Sequence, residues 1–291
     1  MIKFEHTEVL GWEHAIRGMR NPMNSWEKSD SAWTINDLED IDEKKGYIGS
    51  VLYKDPFVSH IRYELGRNDQ DLMMRLRNAG TDHRKFMRMI VVYCDITAPL
   101  YWWKEFDTYK VGTVANSCST MHKIAEKEFT LEDFSCEHLE RRASLTLAQI
   151  VDDLNFFRTY YLRMKEQKTP FANEKAKQIW WQMIQLLPSS YNQRRTVMLN
   201  YEVLANIYKS RRNHKLDEWC EHKEVMPDID STSQAKYAKP YKEYVGFCDW
   251  IKTLPYSELI TGSDVSISHE EVSDSTPLFL KKSMTIPEER G

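Results

Sequence analysis

Apolar and polar residues alternate at the start of the chain and then take up a helical spacing. Ile2 and Phe4 alternate with Lys3 and Glu5, which predicts a short strand, and the residues that follow, up to position 20, have the period of a helix. Residues 21–65 are polar and are interrupted by Asn-Pro and Asp-Pro pairs. We expect an irregular but ordered insertion there, because such pairs mark turns and loops.

The next segment predicts a helix, a strand and a second helix. The stretch DQDLMMRLRNAG has the pattern of a short helix that ends at Gly80, and residues 86–96, FMRMIVVYCDI, are rich in residues that favour strands. Pro99 closes the predicted strand because proline cannot donate to a strand ladder, and the aromatic stretch after it predicts a helix.

The remainder of the chain is predicted to be mainly helical. LTLAQIVDDLNFFRTYYLRMKE places one apolar stripe at helical spacing, formed by Leu147, Ile150, Val151, Leu154, Phe157, Tyr161 and Met164. EKAKQIWWQMIQLL predicts a second helix that ends at Pro188, and YNQRRTVMLNYEVLANIYKSRR predicts a third, apolar nearly all round and therefore buried. Residues 226–240 break the pattern, and residues 262–291 predict a loosely ordered tail.

Strands concentrated in the first third and helices in the remainder predict an α+β fold rather than alternating βαβ units. We expect a mostly antiparallel sheet packed against long helices, in a single domain over residues 1–261. The chain contains neither GxGxxG nor GxxxxGK[ST], so neither a Rossmann dinucleotide site nor a P-loop is indicated.

Charge and hydropathy narrow the function classes. A formal net charge of -4 argues against a general nucleic-acid binder, because phosphate binding is driven by clustered positive charge, although a local basic pocket stays open. No stretch has the roughly 18 uncharged apolar residues that crossing a bilayer needs, and charges interrupt MIKFEHTEVL too early for a signal peptide. We therefore expect a cytoplasmic protein without membrane contact.

The five cysteines form an odd set without close pairs, which is typical of a reducing compartment. Cys136 and His138 in SCEH, together with Cys220 and His222 in WCEH, offer two thiols and two imidazoles to a zinc ion. The Cys-x-His spacing is unusual for zinc ligands, so we expect free thiols and no metal site.

Two polar groups of residues are candidates for ligand binding. FDTYKVGTVANSCSTMH presents hydroxyl and amide side chains, either as a loop that caps helix ends or as a lining for a ligand. In the predicted third helix, the polar exceptions are Asn200, Glu202, Asn206 and Arg211. Buried polar groups must be paired, so these residues serve either a hydrogen-bond network or a ligand with phosphates and a heteroaromatic ring. In the second case we expect them to line a cavity.

The same two stretches carry a resemblance to the flavin-dependent thymidylate synthases. ITAPLYWWKEFDTYKVGTVANSCSTMH resembles the family's signature region, and LLPSSYNQRRTVMLNYEVLANIYKSRRNHKLDEW resembles its second signature. The family's mutual spacing is kept by Leu187-Pro188, Asn200, Leu204, Asn206 and Arg211, and His83 stands at the family's distance ahead of Ala98-Pro99. The resemblance covers roughly residues 65–225, and a weaker resemblance lies at RGMRNPMNS.

The resemblance implies an α+β homotetramer that converts dUMP, or a related pyrimidine nucleotide, by reductive methylation with FAD, NADPH and methylene-tetrahydrofolate. It implies that the substrate-binding residues are Glu105, Lys110, Thr113, Asn116, Ser119 and Arg211. The cofactor-binding residues would be His83, Tyr109, Lys110, Asn200 and Asn206. It assigns no catalytic side chain, and Cys118 is expected to be a loop residue rather than a nucleophile.

Several positions depart from the family pattern. Thr108-Tyr109-Lys110 replaces Arg-His-Arg, Glu105 replaces a glutamine, and Ile184 and Glu202 replace arginines. Arginine forks bind phosphate bidentately, so these losses weaken nucleotide binding by several kcal/mol and predict weakly bound FAD. Three functions stay open: a divergent synthase, a fold relative that has lost the chemistry and binds a nucleotide or a protein, and a different enzyme with a less anionic ligand.

Overall fold

The computed structural model describes residues 2–36, 60–222 and 245–262. The middle of the predicted insertion, the predicted break at 226–240 and nearly all of the predicted tail lie outside the described residues. The strands are β1 (Lys3–Leu10), β2 (Ala32–Asn36), β3 (His60–Glu64), β4 (Val91–Pro99), β5 (Val114–Ser117) and β6 (Asn192–Asn200). The helices are α1 (Trp12–Arg20), α2 (Arg67–Asn78), α3 (Leu100–Phe106), α4 (Thr120–Lys123), α5 (Arg141–Gln167), α6 (Pro170–Leu186), α7 (Tyr201–Arg211), α8 (Phe247–Lys252) and α9 (Glu258–Thr261).

The main sheet is antiparallel and has the strand order β1-β4-β6-β5. β4 pairs with β6 from Val91↔Asn200 to Pro99↔Asn192, so the end of β6 and the start of β4 lie side by side. β2 and β3 form a separate antiparallel pair within the part of the insertion that is described. The sequence-based expectation of helices with an antiparallel sheet is therefore confirmed at this level.

Two predicted elements differ from the structure. The predicted third helix is wrong over its first half, where residues 192–200 form β6 and only the residues from Tyr201 onward form α7. From Gln193 to Leu199 buried and more exposed side chains alternate in part, with Val197 and Leu199 on the inner face, as in a strand. The strand predicted over 86–96 begins later, because Arg84–Met89 forms a 3-10 helix.

The main hydrophobic core lies between the sheet and helices α1, α2, α3, α7, α8 and α9. Its centre is aromatic: Trp102 stacks on Trp219 with ring centroids 4.5 Å apart, and Phe247 packs against both rings. This aromatic centre lies directly behind the carboxyl end of α7, because Arg211 contacts Trp219 there.

Helices α5 and α6 pack against each other and bury a second apolar cluster. The stripe predicted on the long helix is confirmed: Leu147, Val151, Leu154 and Met164 are buried, while its other members are partly buried against the clusters. Among the described helices, none has the length and apolar character that a bilayer-spanning segment needs.

Candidate functional site

The start of α7 is hydrogen-bonded to the segment that follows α3. Asn200 caps the helix by accepting a hydrogen bond from the Val203 amide at 3.0 Å, and its side-chain nitrogen donates to the Gly112 carbonyl at 3.4 Å. Gly112 has a φ of 73°, and a Cβ there would lie 2.5 Å from the Asn200 amide nitrogen. Residue 112 must therefore be glycine for the segment to approach α7 this closely.

The end of α7 contacts the same segment through Arg211. Its Nε donates to the Tyr109 hydroxyl at 2.8 Å, and its guanidinium forms an ion pair with Glu105 at 2.5 Å. His214 lies 2.8 Å from the guanidinium, whose carbon stands 5.0 Å from the centre of the Trp219 ring. We call Glu105, Tyr109, Arg211, His214 and Trp219 the Arg211 cluster.

The Arg211 cluster is only partly shielded from water. The side chain of Arg211 is 18% exposed and that of Glu105 is 34% exposed. A planar guanidinium with an exposed edge and an aromatic wall can bind a phosphate or carboxylate bidentately. In this structure the Glu105 carboxylate already bonds to one edge of the Arg211 guanidinium, so an anionic ligand would compete with Glu105.

Thr113, the residue after Gly112, has a polar atom without a partner. Its Oγ is buried, and it has no hydrogen bond within the described parts of the chain. Buried hydroxyl groups are nearly always bonded to protein, water or ligand. The residue lies on the segment that carries Glu105 and Tyr109, which makes it a candidate for direct contact with a ligand bound at the Arg211 cluster.

A second charged group lies on another face of α7. The Glu202 carboxylate is paired with Arg88 and stands 3.6 Å from the Nε of Arg84, while Arg84 also donates to the side-chain Oδ1 of Asn206 at 2.9 Å. The side chain of Glu202 is almost completely buried. We call Glu202, Arg84, Arg88 and Asn206 the Glu202 cluster; His83 immediately precedes Arg84 in the chain.

The predicted residues of the polar run are distributed over several elements. Lys110 is exposed in the turn after α3, and Asn116 lies on the exposed edge strand β5 opposite Thr196. Ser119 caps α4 by accepting a hydrogen bond from the His122 amide at 3.4 Å. Cys118 is exposed beside it. The run therefore contains a turn, a strand and a helix cap rather than one loop.

The structure brings some predicted site residues together and separates others. Glu105, Tyr109 and Arg211 are in contact, whereas Asn200 lies at the other end of α7 and bonds to Gly112 in the turn after Tyr109. Asn206 instead belongs to the Glu202 cluster. Protein groups bond to Asn200, Asn206 and Arg211, as in the hydrogen-bond network that the sequence left open beside a ligand. That they line one cavity stays a prediction.

Sequence reasoning missed four members of these clusters, namely His214, Trp219, Arg84 and Arg88. His214 lies three residues after Arg211, at the spacing of one helical turn, and this spacing was the available signal. Trp219, Arg84 and Arg88 gave no such signal, since tryptophan in a core and a basic residue at a surface are common. Their contacts with Arg211 and Glu202 depend on elements far apart in the chain.

Comparisons with known proteins give a distant likeness. No family model and no curated protein matches the chain. Two solved structures of the flavin-dependent thymidylate synthase ThyX from Helicobacter pylori, both with FAD and dUMP, align with a TM-score of 0.43 and 15% identity. The alignments cover 74% of this chain and 85% and 84% of those chains. Values at this level describe a distant likeness of fold and do not specify chemistry.

Proposed function

We propose that the chain is a divergent relative of the flavin-dependent thymidylate synthases that binds a pyrimidine nucleotide such as dUMP at the Arg211 cluster. The proposed reaction is reductive methylation of that nucleotide with FAD, NADPH and methylene-tetrahydrofolate. The observation that carries the proposal is the buried, unpartnered hydroxyl of Thr113 on the segment that holds Glu105 and Tyr109 against Arg211. Both this segment and α7 lie in the two stretches that resemble the family.

The chemistry of the Arg211 cluster suits a nucleotide monophosphate. Arg211 offers a fork for the phosphate, and Lys110 adds a second positive charge on the exposed turn. The Thr113 hydroxyl can donate to a phosphate or pyrimidine oxygen and would thereby gain the bond that it lacks. Glu105 must turn aside when the phosphate binds, because two anions cannot share one guanidinium edge without repulsion.

The fit of the described residues to FAD is partial. The Glu202 cluster contains two arginines and one glutamate, which leaves one net positive charge, and the Nε of Arg84 is buried without a hydrogen bond in the described residues. These groups suit one phosphate of a dinucleotide, with His83 and Asn206 beside it and the Tyr109 ring as a stacking surface. When bound, the flavin supplies the redox chemistry, and the protein positions the reactants. The predicted weak binding of FAD agrees with this charge count.

A second candidate function is a relative that has lost the chemistry and binds a nucleotide or a protein. Glu202 favours it, because this residue occupies a position where the family pattern has an arginine and is neutralised by Arg84 and Arg88. Both arginines are then engaged by the protein, which reduces what is left for a cofactor.

One set of titrations separates the candidates. The purified full chain is titrated with FAD, using flavin fluorescence, and with dUMP by calorimetry, and turnover of dUMP is assayed with all three redox components. Binding of dUMP with turnover supports the synthase, whereas dUMP binding without turnover supports the second candidate. No binding of dUMP would contradict the proposed nucleotide site.

The double variant Thr108→Arg, Lys110→Arg sharpens the flavin titration. The Thr108 side chain is exposed and donates to the Glu105 backbone carbonyl, so an arginine fits there without disturbing the core. Each restored charged hydrogen bond contributes about 1.5–3 kcal/mol, so FAD affinity should rise by a factor of ten or more. An unchanged affinity would show that the segment does not follow the family's path.

The oligomeric state is a further expectation of the proposal. The resemblance implies a homotetramer, in which binding sites are built at subunit interfaces. Light scattering at micromolar protein concentration measures it directly, and a monomeric mass would count against the resemblance.

A further inference from the structure

A group of side chains that could hold a metal ion lies in the segment directly after α7. Asp217, Cys220 and His222 each present one ligand atom, and these atoms all lie within 4.8 Å of one another. The Cys220 Sγ is 3.8 Å from the Nε2 of His222. The Nε2 of His138, from the segment before α5, lies 3.1 Å from an Asp217 carboxylate oxygen. Neither the Arg211 cluster nor the Glu202 cluster includes these four residues.

We propose that Asp217, Cys220 and His222 bind a Zn²⁺ ion and that His138 completes the coordination. One thiolate, imidazole nitrogens and a carboxylate oxygen are ligands that zinc accepts in tetrahedral sites. Zinc bond lengths place sulfur and nitrogen ligands about 3.6 Å apart, and nitrogen and oxygen ligands about 3.4 Å apart. The distance of 3.8 Å between Cys220 and His222 is close to the first value, and His138, which now contacts Asp217 at 3.1 Å, reaches the ion by rotating.

The partner of His222 orients its ring for this role. The Nδ1 of His222 lies 2.5 Å from an Asp249 carboxylate oxygen, and the other Asp249 oxygen accepts a hydrogen bond from the His222 amide at 3.0 Å. A carboxylate on Nδ1 holds the proton there and leaves the Nε2 lone pair directed at Cys220 and Asp217. Metal-binding histidines are commonly held by a carboxylate in this way.

Close packing brings the start of α8 against the turn that carries the ligands. A Cβ on Gly246 would lie 2.3 Å from the Cys220 carbonyl oxygen and 2.7 Å from that of Asp217. The amides of Phe247 and Cys248 donate to the carbonyls of Glu218 and Trp219. Backbone contacts therefore preorganise the turn, so that little ordering remains for the metal to impose.

The electrostatics favour a cation over a reactive thiolate. Cys220, His222 and Asp249 also resemble a catalytic site with a nucleophilic cysteine, in which a thiol, a base and a carboxylate that orients the base lie in sequence. A nucleophilic cysteine stands beside positive charge, whereas the carboxylates of Asp217 and Asp249 place negative charge around Cys220 and His222. A divalent cation reverses this situation, because the same negative groups then attract the metal and the thiolate forms on it.

Through His138, a bound ion would connect segments that are distant in the chain. Its side chain is 68% exposed and contacts Asp217, so a rotation brings Nε2 to the metal without disturbing the core. The ion would then connect the segment before α5 to the turn after α7 and to α8. The expectation of free thiols rested on the unusual Cys-x-His spacing and overlooked Asp217, three residues before Cys220.

Cobalt(II) is a direct probe of this site. The full chain is treated with a chelator, dialysed and titrated with Co²⁺, and metal content is also measured on protein purified in zinc-containing medium. We expect one ion per chain and a thiolate-to-cobalt charge-transfer band in the near ultraviolet that Zn²⁺ abolishes. A wild-type protein that gives no such band overturns the proposal, as does rapid alkylation of Cys220 at neutral pH in metal-free and zinc-treated protein alike.

Matched variants locate the metal. Cys220→Ser should abolish the charge-transfer band, whereas Cys118→Ser, which changes an exposed thiol outside the cluster, should leave it intact. His138→Ala alters an exposed side chain and so keeps the fold; it should weaken Co²⁺ affinity about 10–100-fold while the thiolate band persists. An unchanged band in Cys220→Ser, or an unchanged affinity in His138→Ala, contradicts the assigned ligands.

Discussion

Arg20 and Arg211 each form an ion pair with a carboxylate, yet the two pairs lie in different surroundings. The side chains of Arg20 and Asp69 are 4% and 0% exposed, whereas those of Arg211 and Glu105 are 18% and 34% exposed. The first pair lies inside the fold, between α1 and α2. The second lies at the end of α7, where water and solutes reach it.

Every side-chain nitrogen and both carboxylate oxygens of the buried pair have a hydrogen-bond partner. Arg20 donates to Asp69 at 2.6 Å and to the backbone carbonyls of Ser25 and Lys28, while Ser29 and Ser31 donate to the second Asp69 oxygen. The bonds of Arg20 join α1 to α2 and to the segment after α1, and the bonds of Ser29 and Ser31 join that segment to α2. The pair therefore holds the described part of the insertion in place, and each of its polar side-chain atoms is already bonded to the protein.

The contrast shows which arginine is available for function. A buried and fully bonded ion pair can exchange partners only by opening the fold, whereas a partly exposed one exchanges with an incoming anion at low cost. The Arg211 cluster has such a pair and an aromatic wall, and the unpartnered Thr113 hydroxyl lies four residues after Tyr109 in the chain. We therefore place the proposed nucleotide site at Arg211.

Replacing Asp69 should have the largest effect on stability. Asp69→Ala leaves Arg20 buried without its counterion, and removing one partner of such a pair costs about 3–5 kcal/mol of unfolding free energy. Urea denaturation measures this loss. Glu126→Gln, which breaks the exposed pair with Lys123, should cost less than about 1 kcal/mol. Equal losses in both variants would remove the distinction between buried and exposed pairs.

Acid should weaken the buried pair in a defined direction. Burial raises the pKa of Asp69, but hydrogen bonds from Ser29, Ser31 and Arg20 outweigh burial and hold that pKa below its ordinary value of 3.8. The carboxylate therefore contributes stability above pH 3.8, and this contribution is lost as the pH falls through the lowered pKa. Unfolding free energies of the wild type and of Asp69→Asn should converge at acid pH; parallel curves would contradict the assignment.

Neutralising Glu105 tests competition at the exposed pair. Glu105→Gln removes the carboxylate that occupies the Arg211 guanidinium, and a partly exposed pair of this kind contributes about 1 kcal/mol, so dUMP affinity should rise about fivefold. Glu132→Gln makes the same charge change at an exposed site and should leave affinity unchanged. Weaker binding in Glu105→Gln would show that the carboxylate itself contacts the nucleotide.

The smallest expected effect on stability is at Thr113. Thr113→Val removes a buried hydroxyl that has no partner in the described chain, so the unliganded protein should be as stable as the wild type or more stable. Affinity for dUMP should fall about threefold to tenfold, the value of one neutral hydrogen bond. Thr146→Val removes an exposed hydroxyl on α5 and serves as the control for both measurements. Lower stability with unchanged affinity would assign Thr113 to the fold alone.

The parts of the fold that the sequence predicts are those set by local pattern. The apolar stripe of α5 and the proline after β4 depend on neighbours in the chain, and both predictions hold. β6 was missed because an apolar run beside a helix looks helical until its pairing with β4 is known. Strand pairing is a long-range property, and local periodicity does not contain it.

The candidate site follows the same rule. The spacing of Asn200 and Arg211 identifies α7 as the helix that carries the candidate site, because both residues belong to one continuous stretch of sequence. The partners come from elsewhere: Glu105 and Tyr109 from α3 and the turn after it, and Gly112 from the same turn. Burial of the Thr113 hydroxyl becomes apparent only when these segments are packed together.

Calorimetric titration of dUMP into the wild type, Arg211→Ala and Arg212→Ala tests the central claim most directly. Arg212 is the exposed neighbour of Arg211, so Arg212→Ala removes the same charge as Arg211→Ala. Loss of a charged hydrogen bond of about 1.5–3 kcal/mol should weaken dUMP binding by roughly 10-fold to 150-fold in Arg211→Ala and leave Arg212→Ala near the wild type. Equal affinities for Arg211→Ala and the wild type, with the fold intact by circular dichroism, would contradict a nucleotide site at Arg211.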